Sequence, residues 1–229
     1  MLNHATLLGL VVVFAAGAPE DAHHPVITEV LFNVPKGDAG DATGDGVRHS
    51  AGDEFVELFN GTTAAMELAG YTLTNRLTTG DPETTRGVRF RFPQFTLPPG
   101  GIVVVFNGCE SAIEGPLGTP SKAPEGPNSL FGGAYVFTMG NRSRNRAFSN
   151  GGDFVLLSSP RGEALDAVTW GRSDPEPPEG TVRIATVRSN PKGSVQRVTA
   201  ESPMEAHQSI DGRSCSPGEL PPTPPTGGE

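Results

Sequence analysis

Cysteine is scarce, with Cys109 and Cys215 the only two in 229 residues. A zinc site built on thiolates would therefore draw at most half of its four ligands from sulfur, and from positions far apart in the chain. Positive charge is short as well: 17 Lys and Arg face 26 Asp and Glu, for a formal net charge of -9. That deficit argues against a general polyanion binder, because phosphate binding needs a positive field across the contact surface. Long apolar helical periodicities are missing. So are a Gly-x-Ser-x-Gly elbow and a phosphate-binding Gly-Lys motif. The histidines at 4, 23, 24, 49 and 207 show no metal-ligand spacing apart from the adjacent pair.

What the chain has instead is 30 Gly and 22 Pro around short apolar runs, with 35% hydrophobic residues. Runs of four to six Val, Phe, Ile and Leu bounded by Gly, Pro, Asn and Asp read as an all-β sandwich or barrel with one core. The stretch Asp53-Glu54-Phe55-Val56-Glu57-Leu58-Phe59-Asn60 organises the rest. As a strand it carries Val56 and Leu58 on one face and Phe55 and Phe59 on the other, so it belongs inside a sheet. Further strands are expected at 25–33, 71–74, 88–92, 102–106, 134–138, 154–158 and 164–170, with weaker ones at 182–187 and 194–198. Residues 95–101 read as a turn, and residues 107–133 as a long irregular excursion.

The apolar segment 7–16, followed by Ala16-Gly17-Ala18, has the length of a signal-peptide core with a cleavage motif, although no Lys or Arg precedes it. An uncleaved anchor is the other reading, but the run is short for a bilayer, and no second candidate span follows. The expected organisation is a signal peptide at 1–18, a linker at 19–24, one domain at 25–218 and a Pro/Gly-rich disordered tail at 219–229. Export to the periplasm, the cell surface or the medium follows from that reading.

The order of the pieces resembles the lamin tail domain, in its version found in exported bacterial proteins. The residues that carry the resemblance are Ile27-Thr28-Glu29-Val30, Gly44-Asp45-Gly46, residues 53–60, Leu68-Ala69-Gly70-Tyr71-Thr72-Leu73, residues 95–106, Asn150-Gly151-Gly152-Asp153-Phe154-Val155-Leu156-Leu157 and Cys215-Ser216-Pro217-Gly218. The resemblance implies an immunoglobulin-like β-sandwich without catalytic residues. It also implies contacts with proteins or nucleic acid, and in bacteria attachment to exported nucleases or surface proteins. The insert at 108–133 and the missing coiled coil depart from the pattern, so filament assembly does not carry over.

Three groups of residues are candidate sites. Asp41, Thr43 and Asp45 with Gly46 match the opening half of a calcium loop. Gly52 stands where the closing carboxylate belongs, with Asp53 and Glu54 directly after it. The alternative for the loop is a solvated glycine-rich turn. Arg89, Arg91, Arg142, Arg144 and Arg146 offer a small basic patch for phosphate or for an acidic protein surface, or simply solvated charge. Cys109 and Cys215 are expected to form a disulfide tying the C-terminal segment to the sandwich, because export favours bridges and no other cysteine competes. Asn60-Gly61-Thr62 and Asn141-Arg142-Ser143 fit the glycosylation pattern. The leading expectation is a non-enzymatic, exported binding module with a protein or cell-envelope partner. The alternative is a metal-dependent hydrolase using Asp45, His49 and Glu54, or a nuclease-associated protein.

Overall fold

The apolar runs pair into two facing sheets. A computed structural model describes residues 24–172, 175–199 and 201–220. The signal segment, nearly all of the linker and the tail beyond residue 220 lie outside these described residues. In chain order the strands are β1 (Val26–Leu31), β2 (Phe55–Phe59), β3 (Met66–Glu67), β4 (Thr72–Asn75), β5 (Arg89–Arg91), β6 (Thr96–Leu97) and β7 (Ile102–Phe106). They continue as β8 (Leu117–Gly118), β9 (Tyr135–Thr138), β10 (Gly152–Ser158), β11 (Ala164–Gly171), β12 (Arg183–Val187), β13 (Val195–Arg197) and β14 (Met204–Ala206). Two single-turn helices, α1 (Arg76–Gly80) and α2 (His207–Asp211), complete the set.

One sheet has seven strands in the order β14-β13-β1-β2-β7-β9-β8, the other five in the order β12-β11-β10-β4-β5. Pairing is antiparallel in the middle of both, while β7–β9, β8–β9 and β11–β12 are parallel. The all-β sandwich of immunoglobulin type is therefore correct. β2 lies between β1 and β7, with Val56 and Leu58 in the core between the sheets and Phe55 on the opposite face. Two-sided burial is why this stretch reads apolar on both faces.

Between the sheets, Phe32 stacks on Trp170 at 4.2 Å between ring centroids, and Phe90, Phe92 and Phe95 pack edge-on around Phe137. Edge-to-face geometry sets the positive rim of one ring against the negative face of another, worth about 1 kcal/mol per pair beyond burial. The expectation of a single core needs correction. On the outer face of the seven-stranded sheet, Leu31, Val34, Ala42, Phe55, Val104, Phe106 and Val136 form a second apolar layer with Phe131 and Ala134. Ile113, Leu117 and Cys215 pack against it. The long insert at 108–133 is thus a cover for a sheet face that would otherwise be exposed apolar surface. Within it, β8 and a 3₁₀ turn at Ser129–Phe131 replace the irregular chain expected there. The segment read as a turn likewise holds β6, which pairs with β3 as a two-stranded ribbon.

Candidate functional site

Every polar side chain of the organising stretch is buried and holds a different loop. Asp53 Oδ1 accepts from the Thr43 amide at 2.9 Å and its hydroxyl at 2.9 Å, and Oδ2 from the His49 amide at 2.5 Å. Glu54 Oε2 accepts from the Phe148 amide at 3.1 Å and from Asn107 Nδ2 at 3.3 Å, fastening the loop that precedes β10. Glu57 accepts from Thr28 Oγ1 at 2.7 Å and from the Gly218 amide at 2.8 Å. The Asn60 amide faces the carbonyls of Ala64, Leu97 and Pro98. Burial pushes the Glu54 and Glu57 carboxyls well above the usual carboxylate range, and raises that of Asp53. Asn60 is fully buried and Asn141 nearly so, with Nδ2 of Asn141 donating to the Arg146 carbonyl, so neither amide is open as a glycan acceptor.

The aspartate loop closes on its own backbone. Asp41 Oδ1 accepts from the amides of Gly44 at 2.8 Å and Asp45 at 3.2 Å, and Oδ2 from Gly46 at 2.8 Å. Asp45 accepts from the amides of Val47 and Ala112. Asp41 and Asp53 do meet, at the Thr43 hydroxyl. Glu54 is not brought to them; its carboxylate serves Asn107 and Phe148. A calcium shell needs six to eight oxygens converging on one point, and these carboxylates are instead turned onto backbone amides. No group of three His, Cys, Asp or Glu suited to a metal occurs among the described residues. The hydrolase trio is likewise split: His49 Nε2 lies 3.6 Å from Asp45 Oδ2, whereas Glu54 is buried among other partners.

Sequence reasoning missed a buried carboxylate pair. Glu29 and Glu57 are register partners on β1 and β2, both fully buried. Glu29 accepts from Ser194 Oγ at 2.5 Å, Gln196 Nε2 at 3.1 Å and the Ser216 amide at 3.0 Å. Burial raises the Glu29 carboxyl to about 7. Together the two carboxyls clamp the closing Cys215-Ser216-Pro217-Gly218 segment onto the sheet. A Cβ at Gly132 would strike the carbonyl of Gly218, and one at Gly218 that of Phe131, so these left-handed glycines let the insert and the closing segment touch.

The expected disulfide is absent: both cysteines are free. Cys109 is buried after β7, with Glu110, Arg144 and Glu54 as its charged neighbours. Cys215 lies against the second apolar layer, with Glu29, Asp53 and Arg213 around it. Burial raises both thiols, that of Cys215 to about 12. The hydrogen bonds from Ser216 and Gly218 do the tying that a bridge was expected to do.

The expected arginine patch is also redistributed. Arg89 and Arg91 alternate outward on β5, the first reaching the Thr78 carbonyl at 3.4 Å. Arg144 pairs with Glu110 at 2.7 Å, Arg146 donates to the Thr85 carbonyl at 3.2 Å, and Arg142 lines a separate groove beside Glu110 and Ile113. Arg144 instead shares a concavity with Arg76 and Arg86, around a cleft that also holds Leu77, Phe148 and Asp153. A signal for Arg76 and Arg86 existed: pairing of β4 with β5 makes 76–88 a single connection, which sets these two at its ends.

Two facing β-sheets with loops anchored by buried carboxylates define an immunoglobulin-like sandwich. The family model for the Lamin Tail Domain matches residues 18–172, and the chain belongs to that family. No curated protein matches the chain. Strands β12 to β14, α2 and the closing segment lie beyond the matched span, although β12 and β13 add to both sheets. No helix among the described residues is long and apolar enough to cross a membrane.

Proposed function

We propose that the chain is an exported, non-enzymatic interaction module that presents loops from a rigid sandwich to a protein or cell-envelope partner. The observation that carries this reading is the fate of the organising stretch. Asp53, Glu54, Glu57 and Asn60, the residues best placed to do chemistry, all hold loops. Loops pinned at their bases by a scaffold are how binding surfaces are commonly built. The family, a non-catalytic immunoglobulin-like domain, points the same way. Export is supported by the apolar segment 7–16 and the Ala16-Gly17-Ala18 motif that follows it.

Labelled protein should bind saturably to envelope fractions of the native host, with unlabelled protein competing. It should leave plasmid DNA, ester and phosphodiester substrates intact with added divalent metals. Metal-dependent turnover that His49→Ala abolishes would overturn the reading in favour of the hydrolase.

A further inference from the structure

The cleft shared by Arg76, Arg86 and Arg144 is built differently from the rest of the surface. It measures about 230 Å³ and lies where α1, the end of the 76–88 connection and the loop before β10 meet. The loops around it are fixed to each other. The Gly87 amide donates to the Asn145 carbonyl at 2.9 Å, Arg146 Nε to the Thr85 carbonyl, and Glu54 holds the Phe148 amide from below. α1 is locked by a capping box in which Asn75 and Thr78 exchange hydrogen bonds. The walls are therefore held in place before any ligand arrives, which lowers the ordering cost of binding.

Positive charge outnumbers negative in the cleft, with three arginines to one acid. Asp153 is the only acid lining it, and its carboxylate is saturated by four donors: Asn75 Nδ2, the Arg76 amide, the Ser149 amide and its neighbour Phe154. Among the described residues, neither Arg76 nor Arg86 has a carboxylate within ion-pair distance. Arg144 does have one, Glu110, the only non-glycine residue among those described with a left-handed backbone, at φ 69°. Glu110 also stands 4.0 Å from His49 Nδ1.

We propose that this cleft is a binding site for a phosphomonoester, with Arg76, Arg86 and Arg144 as the anion-holding residues and Glu110 as an internal competitor for Arg144. Guanidinium forks suit a group with three terminal oxygens and up to two negative charges, and Arg144 joins the other two when its fork, held by Glu110 through Nε and Nη2, turns to the ligand. A ligand carboxylate would gain little by replacing Glu110, which already supplies one to Arg144. A long polyanion is disfavoured by the net charge of -9. A small molecule or a chain end carrying one phosphate fits the size of the cleft. The proposal rests on the interaction-module reading and adds a ligand class to it.

Titration calorimetry with the full chain, at constant ionic strength, tests the site with inorganic phosphate and with a 5′-phosphorylated dinucleotide beside its unphosphorylated twin. Inorganic phosphate and the phosphorylated dinucleotide should bind with Kd on the order of 1 mM or below, and the twin should not. The double variant Arg76→Gln/Arg86→Gln should weaken binding by roughly tenfold or more, while Arg91→Gln leaves it unchanged. Glu110→Gln should tighten it by roughly two- to fivefold. All four positions are exposed, so melting curves should confirm that each variant folds. Equal binding of the two dinucleotides, or a double variant that binds phosphate as the parent does, would overturn the site. Envelope binding that survives such a result would leave the module reading intact, so the two failures are distinguishable.

Discussion

The aspartate loop and the arginine cleft are two charged regions of the molecule, and they are wired in opposite senses. In the loop, Asp41, Asp45 and Asp53 accept from backbone amides, so their carboxylate oxygens are taken up by the chain around them. In the cleft, Arg76 and Arg86 have no acid partner among the described residues, and the single lining acid, Asp153, is saturated elsewhere. The comparison teaches that charge density in a sequence says little about function until the partners of each charge are known. The aspartates look like a site and cap their own loop, whereas Arg76 and Arg86, which the sequence does not single out, line the cleft with Arg144.

The contrast should appear first in stability. Asp53→Ala strands three donors, the Thr43 amide and hydroxyl and the His49 amide, and should cost about 2–4 kcal/mol. For a domain of this size that lowers the melting temperature by roughly 5–15 °C. Arg86→Ala, at an exposed position, should stay within about 0.5 kcal/mol of the parent. Urea titrations of both variants measure the difference. Similar costs at the two positions would erase the distinction between inward and outward charge.

How much of this was legible varies with what burial does to each residue. The apolar pattern of residues 53–60 revealed an interior strand because apolar side chains announce burial directly. The acids gave no such sign. Asp53 and Glu54 read as candidate metal ligands, and Glu57 carried no role at all, because a buried carboxylate is rare and its hydrogen-bond donors come from segments as remote as Phe148 and Gly218. Glu29 and Glu57 meet only through the β1–β2 register, which alternation alone does not fix. The free cysteines follow the same logic. Two thiols without rivals suggest a bridge, but the closing segment is held by Ser216 and Gly218 donating to carboxylates already in place. The second apolar layer was hidden because Phe131 and Ile113 are scattered through a Gly/Pro-rich insert without period.

A second prediction concerns the inward acids as a group. Glu29 has a carboxyl at about 7 in the fold, against 4.5 as its reference, and Asp166 about 6 against 3.8. Glu54 and Glu57 are raised in the same direction by burial. A raised acid holds its proton in the folded state after the unfolded chain has released it. Its stabilising contribution is complete below about pH 4.5 and is lost as pH rises toward 7, by up to about 1.4 kcal/mol per pH unit for each group. His24 and His207, lowered by burial, act the other way, adding stability as pH climbs toward 6.5. With the acids in the majority, the urea midpoint should be higher at pH 5 than at pH 8, and Glu57→Gln should flatten the slope. A midpoint that rises across this range would mean that the buried pair is ionised and held by its donors.

The smallest effect is expected from calcium, and it bears on the loop half of the contrast alone. An ion that binds only the folded state raises its stability by mass action in proportion to its affinity. To bind, it would have to take carboxylate oxygens from the amides of Gly44, Gly46, Val47 and His49, each of which would then be left without its acceptor. That exchange opposes the ion, weakly at the exposed amides of Gly44, Gly46 and Val47, which water can serve, and more strongly at the part-buried His49 amide. Melting curves in millimolar calcium and in chelator should therefore coincide within about 1 °C. A clear rise with calcium, removed by Asp45→Ala, would show that the loop can turn its carboxylates outward, and the two charged regions would then be alike in offering a binding site rather than opposite.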